Sequence, residues 1–142
     1  MVEVMLEDIA VSGDDGARFL VLLKAPGGEL LPIVIDALQA VAIAAGRQTE
    51  KPERPLTHDL LLSMLGMLDA QVARVEVTDL VDGTFYAMVV LERHGVRFDV
   101  DARPSDALAL AVRAKCPIFV AEHVLEASGL SDDMGGSGGV EA

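Results

Sequence analysis

Two periodicities divide the chain. Residues 2–12 and 18–24 ("RFLVLLK") are apolar runs of strand length and predict two strands joined by the turn "SGDDG". A second turn, "APGGE", leads into "ELLPIVI", a third strand in which Pro32 points to an edge position or a bulge. Asp36 stands where a cap belongs, ahead of the helix "ALQAVAIAAGR", which ends near Gly46. Residues 47–55, "RQTEKPERP", form a polar loop, and Thr57 is the expected N-cap of the next helix, "HDLLLSMLGML". In "QVARVEVTDL" the period returns to two, with Ala73, Val75, Val77 and Asp79 on one face. "VDGT" is a hairpin turn, because Asp-Gly accepts the left-handed backbone. "FYAMVVLERH" is so evenly apolar that it predicts a central strand covered on both faces. His94-Gly95 turns the chain into "VRFDVD"; a helix over Ser105–Lys115, a short strand "PIFV" and a helix "AEHVLEASG" ending at Gly129 complete the pattern. The expected fold is α+β: a compact mixed α/β single domain over 1–130, with a largely antiparallel sheet and helices packed against it. "SDDMGGSGGVEA", residues 131–142, has little to bury and is expected to be a disordered tail.

Composition sharpens this picture. The 142 residues are 51% hydrophobic but only 4% aromatic, with no Trp, so the core is aliphatic. The mean hydropathy of +0.41 exceeds what one core of this size absorbs easily. That surplus predicts a homo-oligomer, with part of "AMVVL" or of "AVAIAAG" at the interface. A membrane span is not expected, since Pro32, Asp36 and Gln39 interrupt the most apolar segment, and "MVEVMLEDIAV" lacks the basic start of a signal peptide. Cys116 is the single cysteine, so no intrachain disulfide forms; a structural thiol and a cytoplasmic location are expected. The net charge of −12 by itself argues against nucleic acid, whose phosphates are met by Lys and Arg.

The chemistry-bearing residues crowd into "VRFDVDARPSDA". Val96, Phe98 and Val100 face one way, and Arg97, Asp99 and Asp101 the other. Arg103 precedes Pro104 and is held extended, while Ser105 and Asp106 meet a helix N-terminus, where unpaired N–H groups favour an anion. Two readings fit. In one, Ser105 caps the helix, Asp106 complements its dipole, and Arg97 and Arg103 pair with Asp99 and Asp101. In the other, carboxylates hold a divalent ion and Arg103 holds an anionic oxygen. His58 and Asp59 open a helix in "RPLTHDLL", a weak zinc motif because His94 and His123 lie in unrelated elements. Asp79 is expected to set its turn, and Glu122 and His123 to begin an ordinary helix. No phosphate-loop, dinucleotide, nucleophile-elbow or C-x-x-C motif is present.

Taken in order, "LPIVI", "RPLTHDLL", "DLVDGTFYA", "VDARPSDALALAVR" and "PIFVAEHVL" resemble the bifunctional nuclease family over about residues 2–129. The matching positions are Arg54, Thr57, His58 and Asp59, then Gly83, Phe85 and Tyr86, then Asp101, Arg103, Ser105 and Asp106. The resemblance implies a compact mixed α/β homo-oligomer with nuclease activity on DNA and RNA that depends on a divalent cation. By this likeness the catalytic candidates are His58, Asp59, Asp101, Arg103, Ser105 and Asp106; the spacing of the acids adds Asp99, with Asp101 and Asp106, as ligands expected for Mg²⁺ or Mn²⁺. His58 would shuttle a proton, and Arg103 would stabilise charge on the phosphorus. One departure is Gln39-Ala40, where relatives often carry Glu-Ala. The competing expectation is a non-catalytic oligomeric module, whose acidic and Arg-bearing junction binds a protein or a small anionic ligand.

Overall fold

The computed structural model describes residues 1–12, 18–130 and 140–141. Its framework is two antiparallel ribbons. Strands β1 (Val2–Ser12), β2 (Arg18–Lys24) and β3 (Leu30–Ile35) form the first. Strands β4 (Ala70–Val81), β5 (Thr84–Arg93) and β6 (Val96–Ala102) form the second. Helices α1 (Ala37–Arg47) and α2 (Thr57–Met67) connect them. Helix α3 (Pro104–Ala114), strand β7 (Ile118–Val120) and helix α4 (Glu122–Ser128) follow, with the two-residue strand β8 (Val140–Glu141) beside β3. The sheet order is β6-β5-β4-β7-β1-β2-β3-β8. Short β7 therefore joins the ribbons, antiparallel to β1 and parallel to β4. The α+β architecture is the one the pattern predicts.

The core is aliphatic. Leu23, Leu31, Ile33, Ile43, Leu108, Val75, Val77, Val120 and Val124 are among its fully buried side chains. Helix α3 lies against α1, α2, β4 and β5, which places its apolar Ala and Leu positions at the centre of the molecule. Within the run Ala87–Leu91, Ala87 and Val89 are buried on the helix side and Val90 on the other, while Met88 and Leu91 are half-buried. Pro32 pairs with Leu22 in β3, the last strand but one of the sheet, whose outer side meets the two-residue β8 and, at Leu30, an isolated bridge to Leu130.

Local chemistry sets the boundaries. Asp36 caps α1: its Oδ1 accepts the Gln39 N–H at 2.8 Å, and Gln39 Oε1 accepts the Asp36 N–H at 2.8 Å. Gln39 is thus half of a capping box. Thr57 does not cap α2. The N-cap is Leu56, and Asp59 Oδ2 accepts the Leu56 N–H at 2.9 Å from inside the first turn, which leaves Thr57 as the first helical residue. Nor does Ser105 cap α3: Arg103 is the N-cap, and Pro104 fills the first turn, where its missing N–H costs nothing. Two hairpins turn on left-handed pairs, Asp82-Gly83 at φ 49° and 78° and His94-Gly95 at φ 48° and 78°.

Strand β4 corrects one expectation. Its register slips between Val77 and Asp79, so Asp79 stands opposite Tyr86 while Val77 stands opposite Ala87. The bulge moves Asp79 off the face of Val75 and Val77 and onto the exposed side with Tyr86. Of the tail expected at 131–142, residues 131–139 and 142 lie outside the described residues, and Val140 and Glu141 pair with Ile33 and Val34.

Candidate active site

The first turns of α2 and α3 meet. His58 Nε2 lies 2.9 Å from Asp106 Oδ1, across 48 positions of sequence. The imidazole is 12% exposed and the carboxylate 54%, so the pair runs from a covered ring to solvent. An ionised carboxylate only accepts; facing Asp106 therefore sets the proton on Nε2 and leaves Nδ1 as the basic ring nitrogen. Around the pair is the start of α3, whose first intrahelical bond runs from the Ala107 N–H to the Arg103 carbonyl. The N–H groups of Ser105 and Asp106 precede that bond and have no acceptor within the helix.

Asp59, the neighbour of His58, has a different partner. Its Oδ1 accepts from Arg113 Nε at 2.9 Å. The same guanidinium donates from Nη1 to the carbonyls of Ala42 at 2.9 Å and Ala109 at 2.8 Å, and the Arg113 side chain is only 5% exposed. Arg113 thus rivets α1, α2 and α3 together. Burial pushes the Asp59 carboxyl up, but the Leu56 N–H, the Arg113 hydrogen bond and charge, and the charge of His58 together hold it below its ordinary value of 3.8. Gly46 makes room for this contact: a Cβ there would stand 2.6 Å from Arg113 Nη1 and from Val112 Cγ2. The sequence signal for Arg113 was a cation two residues inside the end of the apolar helix "ALALAVRAK". Beside the rivet lies an open groove of about 630 Å³, lined among others by Arg47, Lys51, Ser63 and Lys115.

The remaining candidates separate. Ser105 is buried, and its Oγ has no hydrogen-bond partner among the described residues. Asp99 and Asp101 pair across the ladder with Val90 and Met88, which alternate with the helix-side residues Val89 and Ala87. Both acids therefore project from the sheet face opposite the helices, while Asp106 belongs to the helix layer. Asp99 is held by Arg97 Nε at 2.7 Å. Glu76, buried on that same face, pairs with Arg74, whose guanidinium stacks over Phe119 at 4.8 Å. Among the described residues no three His, Cys, Asp or Glu side chains gather to hold a metal ion, so Asp99, Asp101 and Asp106 do not form one ligand group.

Elsewhere the residues take structural places, and Asp79, expected to set its turn, faces His123 of α4. Gly83 makes its turn, and Phe85 fills the core. His123 Nε2 lies 3.2 Å from Asp79 Oδ1, an exposed link between α4 and β4. Burial pushes the Cys116 thiol up, as for a structural cysteine. No helix among the described residues is long and apolar enough to cross a membrane.

Comparison with known proteins draws on the same blocks. A model of the bifunctional nuclease domain matches residues 20–133. An uncharacterized protein of Mycobacterium tuberculosis is 41% identical over 130 residues, 92% of this chain and 77% of the relative. Bifunctional nuclease 2 of Arabidopsis thaliana is 31% identical over 106 residues, covering 72% of this chain, and bifunctional nuclease 1 of the same plant is 32% identical over 108. The chain spans about a third of the length of these plant relatives, at 32% and 33%. The match contains both helix starts that build the His58–Asp106 contact, the Asp82-Gly83 turn and the whole of α3, and on that ground the chain belongs to the bifunctional nuclease domain family.

Proposed function

We propose that this domain cleaves phosphodiester bonds in DNA and RNA at the joint of α2 and α3. The observation that carries this reading is the 2.9 Å contact of His58 with Asp106 beside the open N-terminus of α3. Asp106 orients the imidazole, and His58 Nδ1 takes a proton from the attacking water or returns one to the leaving oxygen. The N–H groups of Ser105 and Asp106, with Arg103 at the N-cap, receive the negative phosphate. Asp59 acts through Arg113, by holding the turn that presents His58. Asp101, on the opposite sheet face, serves the junction rather than the proton transfer.

A divalent cation, Mg²⁺ or Mn²⁺, belongs to the proposal as a companion of the substrate. Among the described residues the side chains do not assemble a closed ligand set. Mg²⁺ is commonly held by one or two carboxylates together with substrate phosphates, and it would supply positive charge that a chain of net −12 lacks. A cytoplasmic setting and a homo-oligomer complete the reading; the latter is supported by exposed apolar side chains on α2 and β6.

The test is cleavage of single- and double-stranded DNA and of RNA by purified protein, with and without a chelator, beside His58→Asn prepared identically. The proposal expects His58→Asn to stay folded and to lose roughly 10²-fold or more in rate. Equal activity in both preparations would assign the cleavage to a contaminant and leave the domain as a binding module.

A further inference from the structure

Strand β6 ends the sheet, and among the described residues no strand pairs with its outer edge. Such an edge offers a row of unpaired N–H and C=O groups to another strand. All its residues from Val96 to Asp101 are exposed, including the apolar Val96, Phe98 and Val100 at 54%, 48% and 44%. These three stand opposite Arg93, Leu91 and Val89 of β5 and so share the helix-side face of the sheet. The helix layer stops short of covering them. Arg93 Nε donates to the Leu68 carbonyl at 2.8 Å, which ties the C-terminal end of α2 to this corner. Along α2 a stripe of Leu60, Leu61, Met64, Met67 and Leu68 is exposed as well.

We propose that β6 pairs edge to edge with β6 of a second copy, antiparallel, about a two-fold axis at Phe98. The strand is complementary to itself in that register. Phe98 meets Phe98 of the second copy, Val96 meets Val100, and Arg97 meets Asp99. Asp101 faces Gly95, so no two like charges are opposed. A shift of one residue would set the apolar face of one strand against the charged face of the other. A shift of two would oppose Asp99 with Asp99, or Arg97 with Arg97, in place of the ion pairs. Arg97 and Asp99 already bond at 2.7 Å within the chain, so each exchanges one partner for its equivalent. An antiparallel pair in one sheet has its two-fold axis perpendicular to the sheet. Both helix layers then lie on the same side, and the two exposed α2 stripes flank the paired Phe98 rings.

Sedimentation velocity on the full chain tests this, with circular dichroism as the check of folding. The wild type is expected at twice the 15.0 kDa chain mass or an even multiple of it. Arg97→Asp alone and Asp99→Arg alone should each halve the wild-type mass, since each opposes like charges twice in a self-pair. An equimolar mixture of the two should regain the wild-type mass, because only the mixed pair restores both ion pairs. Phe98→Ser, which changes no charge, should also halve the mass and carries the test if a charge variant fails to fold. A wild-type monomer at micromolar concentration, a single variant that keeps the wild-type mass, or a mixture that stays at the single-variant mass would each overturn the proposal.

Discussion

The α2–α3 corner and the β6 edge use the same kinds of side chain, acids beside arginines, to different ends. At the corner, Arg113 is 5% exposed and binds one carboxylate and two carbonyls from three helices. At the edge, Arg97 and Asp99 are 54% and 45% exposed and hold mainly each other. A buried guanidinium has lost its water, so removing any partner leaves a charge uncompensated, and the arrangement is fixed. An exposed pair is worth little to the fold and can trade partners. The corner therefore presents His58 with a rigid backing, and the edge is left available to another chain.

If that contrast holds, damage should scale with burial. The largest effect is expected for Arg113→Ala, which leaves Asp59 and two helix carbonyls without their donor and should cost about 3–5 kcal/mol in urea unfolding. Gly46→Ala should follow at about 1–3 kcal/mol, because its Cβ would enter the space of Arg113 and Val112. Asp59 sharpens the comparison through pH. Its carboxyl is held below its ordinary value, so its stabilisation is fully present above that value, 3.8, and is lost as pH falls through the folded value. Wild type should exceed Asp59→Asn in stability at neutral pH, and the two should converge below about pH 4; a gap that persists in acid would contradict the charged rivet. The smallest effect is expected for Asp79→Ala, an exposed partner of His123, at less than about 0.5 kcal/mol.

Much of this was legible because it is local. The Asp82-Gly83 and His94-Gly95 turns, the Asp36 cap and the apolar face of α3 each declare themselves within a few residues. What escaped is not local. The short strand "PIFV" was legible as β7, but nothing in three residues shows that it joins the two ribbons. The bulge in β4 is invisible in an alternating pattern and reverses the side on which Asp79 emerges. Asp99, Asp101 and Asp106 look like one acidic cluster in sequence. The change from strand to helix at Arg103 separates them, because alternate strand positions and the helix layer face different ways. His58 and Asp106 are 48 positions apart, and no spacing rule joins them; only the family resemblance set both blocks on one surface. Arg113 gives no local signal of its role, because Arg113 and Lys115 together look like the basic last turn of a helix, and the partners on α1 and α2 lie 71 and 54 positions away.

The central claim is that His58 and Asp106 act as one unit in phosphodiester cleavage. A double-mutant cycle on kcat/KM, with His58→Ala, Asp106→Asn and the double variant, tests it most directly. If the pair is a unit, each single change lowers kcat/KM by roughly 10²-fold and the double change little further, because either loss already disables the other residue. Independent, multiplying losses of roughly 10⁴-fold in the double variant, or single variants that cleave as the wild type does, would contradict it.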